Sequence, residues 1–92
     1  MSVIGFLPTA SQNVSFTGTS AQSTAVAMTT WQIRLVCDSD CYIAIGSNPT
    51  ATTSSTWLPA TSPEYFACHP GDKVAAIQKT ASGTLNLSEM NR

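Results

Sequence analysis

From Cys41 to Met90 the chain alternates short apolar runs with turns rich in Ser and Thr or carrying Pro and Gly. That spacing leaves room for strands and almost none for a helix. A half-buried strand must read apolar, polar, apolar, because successive side chains point to opposite faces. Trp31 to Asp38 reads this way, with Trp31, Ile33, Leu35 and Cys37 on one face, Gln32, Arg34 and Asp38 on the other, and Val36 the exception. The next run sets Cys41, Ile43 and Ile45 on one face. A three-residue hairpin loop at Asp38, Ser39 and Asp40 places Cys37 opposite Cys41, Leu35 opposite Ile43 and Ile33 opposite Ile45, so that the apolar faces coincide.

Further strands are expected at Asn13 to Thr17, with Val14 and Phe16 inward, and at Glu64 to His69, with Phe66 and Cys68 inward. His69, Pro70, Gly71 and Asp72 suit a type II turn, in which Gly takes the positive φ. A type II turn splays a tight hairpin, so a corner or loose connection is expected there. Lys73 to Lys79 is apolar on both faces and reads as an interior strand or one covered by a neighbouring subunit. Thr84 to Met90 follows, with Leu85 and Leu87 inward. Thr17 to Thr30 and the polar loop Gly46 to Thr56 read as irregular, Ala25 to Met28 being strand or loop. Seven to eight short strands without a helix define an all-β chain, a small β-sandwich or jelly-roll-like domain spanning residues 1–92. Residues 1–12 are either an extended N-terminal arm or the first strand of the sheet.

A 92-residue domain buries only about two-thirds of its unfolded surface, and oligomerisation is the usual supplement to so small a core. Charged residues make up 10% of the chain, the net charge is -1, and no Lys/Arg run occurs. Nucleic acid and anionic membrane are therefore not expected as partners. No apolar stretch approaches the roughly 18 residues of a membrane span, and the N-terminus does not read as a secretory signal. The expected compartment is a cytoplasm, where three cysteines are thiols rather than a disulfide framework.

Cys37, Asp38, Asp40, Cys41, Cys68 and His69 include zinc-type donors, but the three-residue gap is not a knuckle spacing and no metal or other cofactor is expected. A Cys37–Cys41 disulfide is conceivable if the two lie opposite, yet buried thiols behaving as small apolar side chains fit better. Cys68 and His69 are adjacent on a strand and point apart, which separates a nucleophile from its base. Asp38 and Asp40 are expected to sit at the hairpin tip, where they solvate and favour the turn. No catalytic residues and no phosphate loop stand out, so an enzyme is not expected. Trp31, Trp57, Tyr42, Tyr65 and Phe66 are the aromatic set from which a sugar platform would be drawn, with Trp31 read as core.

The combination CYIAIGSNPTAT, WLPATSPEYF and HPGDKVAAIQ resembles small virion-associated proteins of tailed bacteriophages, over roughly Trp31 to Met90. The resemblance implies a non-enzymatic structural protein of the virion, assembled in the host cytoplasm. In that reading the chain is a capsid cement or decoration protein, a homotrimer that clamps the major capsid protein. Val3, Ile4, Phe6, Leu7 and Trp57 are the candidate subunit or capsid contacts. The alternatives are another minor head, neck or tail component, or a small glycan-binding module for host recognition.

Overall fold

The computed structural model describes residues 6–92. Eight strands form in chain order: β1 Leu7–Phe16, β2 Ala21–Gln22, β3 Gln32–Cys37, β4 Cys41–Gly46, β5 Thr56–Leu58, β6 Glu64–Ala67, β7 Lys73–Gln78 and β8 Gly83–Asn91. They make two four-stranded sheets, ordered β1-β8-β3-β6 and β2-β7-β4-β5. The first strand pairs with the last, β2 with β7, β3 with β6 and β4 with β5, all antiparallel. A long antiparallel hairpin has this nesting, and the further pairs β3–β8 and β4–β7 wrap it into two sheets. The domain is a jelly-roll sandwich.

The period-two pattern builds the core between the sheets. Val14 and Phe16 of β1, Ile33, Leu35 and Cys37 of β3, and Leu85 and Leu87 of β8 face Cys41 and Ile43 of β4 and Val74 and Ala76 of β7, with Val26, Leu58 and Cys68 filling the flanks. The central strands β7 and β8 are the ones with apolar or buried residues on both faces, as interior strands require. Ala75 is buried on the outer face of β7. Beside it the Gly46 to Thr56 loop folds back over β2, where Gln22 Nε2 donates to Asn48 Oδ1 at 2.9 Å and to the Pro49 carbonyl at 2.7 Å, and Ala51 N donates to Ser20 Oγ at 2.9 Å.

Two expectations fail, each for a physical reason. The Asp38 to Asp40 segment is not a hairpin: β3 and β4 belong to different sheets, so Leu35 pairs with Leu87 and Ile43 with Ala76 rather than with each other. The apolar faces still meet, but across the core instead of along a ladder. Trp31 is the second. It lies before β3 and is 62% exposed, because the inward face of β3 runs past the end of the core and opens to solvent there.

The turn at His69 to Asp72 does carry the chain from one sheet to the other, with Gly71 at φ 82° and Asp72 N donating to the His69 carbonyl at 3.0 Å. Leu7 to Gln12 lie within β1, laid along β8 from Asn91 to Leu87 with an irregularity between Pro8 and Ala10. Val3 and Ile4 lie outside the described residues.

Candidate functional site

Antiparallel crossing sorts the connections to two ends of the sandwich. At one end the β1–β2, β3–β4, β5–β6 and β7–β8 connections meet. Asp38 and Asp40 reach beyond their own turn to organise this end: Asp38 Oδ1 accepts from Thr84 N at 2.7 Å and Asp40 Oδ1 from Ala60 N at 2.7 Å. Ser39 Oγ donates to the Ala81 carbonyl at 3.1 Å, and Lys79 N to the Asp40 carbonyl at 3.1 Å. Thr61 is held nearby at φ 58°, its N–H bonded to the Cys37 carbonyl at 2.8 Å. These are backbone clamps.

The opposite end is different. Here the β2–β3 and β6–β7 connections meet the start of β1 and the end of β8, and large apolar side chains stand in solvent: Phe6, Leu7, Met28 and Trp31. Trp31 meets the His69 ring edge-on at a centroid separation of 6.0 Å. Between these elements runs a groove of about 640 Å³, walled by Phe6, Trp31, Ala27, Thr29 and Met90. Its polar lining is Thr9, Glu89, Asn91 and Arg92. Glu89 pairs with Ile33 and Ala10 across the ladders and so continues the inward face of Leu85 and Leu87. Its Oε1 accepts from Ala27 N at 2.9 Å and Thr30 Oγ1 at 2.7 Å, fastening the β2–β3 connection. Asn91 Nδ2 donates to Thr9 Oγ1 at 2.7 Å and to Thr30 Oγ1 at 3.2 Å.

Of the sequence-derived contacts, Phe6 lines this groove and Leu7 stands at its end of β1, so the structure brings these two to one place. Trp57 lies elsewhere. It sits in β5 on the outer face of the other sheet, opposite Tyr42, with Lys79 Nζ 4.0 Å from its ring centroid. Tyr65 faces outward from β6 beside Arg34, and Phe66 packs against the core. Trp31, Trp57, Tyr42, Tyr65 and Phe66 are therefore not gathered into one platform. Glu89 and Asn91 were missed in the sequence, although the alternation that turns Leu85 and Leu87 inward also turns Glu89 inward.

The three thiols are free and buried. Cys37 Sγ donates to the Leu58 and Pro59 carbonyls at 3.5 and 3.6 Å, and Cys68 Sγ to the Thr30 carbonyl at 3.7 Å. Burial raises all three above the ordinary thiol value, and with Cys37 beside it Cys41 is pushed up to about 12. Such thiols are poor nucleophiles. Among the described residues no cluster of His, Cys, Asp and Glu has the geometry to hold a metal ion. No protein-family model, curated protein or solved structure matches this chain.

Proposed function

We propose that this chain is a non-enzymatic structural protein of a tailed-phage virion, a capsid decoration protein that works by adhesion. It clamps neighbouring shell subunits and acts as a homotrimer on the shell. The observation that carries the reading is the apolar end, where Phe6, Leu7, Met28 and Trp31 stand exposed together on a domain with few charges. Exposed apolar side chains gathered at one end mark a contact surface, and a chain with few charges overall leaves few ions to desolvate. The resemblance of its turns to virion-associated proteins supplies the virion as the setting.

The test is to remove the protein from the particle and measure rupture of the shell on heating or chelation, then add the purified protein back. Lowered shell stability that is restored by the wild type, and less well by Trp31→Ala, is expected. A strict monomer that fails to bind empty shells would refute the adhesive reading. Glycan recognition has one observation in its favour, the Trp31 and Phe6 walls of a groove that also carries Asn91. A glycan-array signal lost in Trp31→Ala, with normal particle stability after deletion, would make recognition the better reading.

A further inference from the structure

The groove at the apolar end holds a carboxylate that the described chain leaves without a counterion. Glu89 is only 8% exposed. Its Oε1 is committed to Ala27 and Thr30. Among the described residues its Oε2 takes no hydrogen bond, and Glu89 lines the groove. The one ion pair among the described residues joins His69 to Asp72, and Arg92, which lines the same groove, makes none with Glu89. A carboxylate withdrawn from water and lacking a cation is costly, and an incoming positive group offsets that cost.

We propose that this groove is a binding site for one basic side chain, an arginine guanidinium, presented by an extended segment of the partner. The partner's identity as a shell protein rests on the adhesive reading above; the chemistry of the site does not. Three features select a guanidinium. Glu89 Oε2 supplies a carboxylate oxygen that takes no hydrogen bond from the described residues. Asn91 has committed its Nδ2 to Thr9 and Thr30, which leaves its Oδ1 as a second acceptor for a planar group with several donors. Trp31 and Phe6 supply aromatic surface, which attracts cations. A neutral sugar would use the aromatic walls and the amide but would leave the buried charge without a counterion. The groove exceeds one side chain in volume, so it also admits the backbone that carries it.

The test titrates N-acetyl-arginine amide into the full chain and follows the Trp31 indole and Asn91 side-chain amide signals by NMR, with methyl β-glucoside as the sugar arm. Saturable binding at one site is expected, weakened about tenfold or more in Glu89→Gln. Glutamine keeps an oxygen for Ala27 and Thr30, so that variant stays folded. Arg92→Ala is expected to bind the probe at least as well as the wild type. Absence of saturation, equal binding by Glu89→Gln, or saturation by the glucoside in place of the arginine probe would each overturn the proposal. Co-sedimentation with empty shells separates this from the adhesive reading. Wild type and Glu89→Gln binding shells equally, with no response to the probe, defeats the arginine site alone; a probe response without shell binding supports the site and defeats the adhesive reading.

Discussion

Asp38 Oδ1 accepts the backbone N–H of Thr84 at 2.7 Å, and the residue before Thr84 is a glycine whose missing Cβ leaves room for that contact. A Cβ at Gly83 would stand 2.5 Å from Asp38 Oδ1, 2.8 Å from Ser39 Cβ and 2.9 Å from Phe16 Cζ. The Asp38 carboxylate and the missing side chain at Gly83 thus join the Ser39–Ala81 and Lys79–Asp40 bonds in closing the β3–β4 and β7–β8 corners against each other.

Gly83→Ala is therefore expected to destabilise the domain by about 1–3 kcal/mol, the usual cost of overpacking. Asp38→Ala is expected to cost about 1–2 kcal/mol by freeing the Thr84 amide. Because the new methyl meets Asp38 first, the double variant should cost less than the sum. Denaturant unfolding of the four proteins checks the cycle, and strict additivity would show that Ser39 and Phe16 carry the clash.

The corner also shows what was legible in the sequence. Alternation is a local property, so Val14, Phe16, Ile33, Leu35, Ile43, Leu85 and Leu87 could be assigned inward without knowing a single partner strand. Pairing is not local. A three-residue link between alternating runs satisfies hairpin rules, yet β3 gains its partners from β8 and β6, far along the chain, and β4 from β7 and β5. Facing apolar surfaces satisfy the pattern equally well beside each other or across a core. Trp31 failed for a related reason: nothing in the local pattern states where the core stops. The His69 to Asp72 corner was legible because glycine at a positive φ after proline is a backbone requirement independent of the partner strands.

Trp31 and Leu35 share an alternation phase but not an environment, and substitution separates them. Trp31→Ala is expected to change stability by no more than about 0.5 kcal/mol, as for an exposed site. Leu35→Ala is expected to cost about 2–5 kcal/mol, since Leu35 is fully buried. Thermal or urea unfolding decides it, and a Trp31→Ala protein that fails to fold would contradict the open-ended sandwich.

The buried thiols give an alkaline signature. The unfolded chain ionises Cys41 near the ordinary 9.0, whereas the folded chain holds its proton up to about 12. The unfolded state therefore binds fewer protons between these values, so this residue's contribution is constant below about pH 9 and is lost as pH rises toward 12. Unfolding free energy compared between wild type and Cys41→Ala should converge across that window. A thiol reagent should label none of the three cysteines in the native protein and all of them after unfolding.

Glu89 fastens the β2–β3 connection through one oxygen, and its truncation to alanine and its isosteric replacement by glutamine should differ. Glu89→Ala removes the acceptor for Ala27 N and for the fully buried Thr30 hydroxyl, leaving both donors unpaired. An expected loss of about 2–4 kcal/mol follows from two such groups. Glu89→Gln keeps an amide oxygen in that position, and its cost is expected to stay near 1 kcal/mol, the difference between a charged and a neutral acceptor. Hydrogen exchange at the Ala27 amide reports the same contrast locally, fast in the alanine variant and protected in the glutamine one. Equal exchange in both would mean that the connection is held by Val26 N on the Asp72 carbonyl and Thr30 N on the Ala27 carbonyl, the backbone bonds at 2.8 and 3.0 Å, and not by the carboxylate.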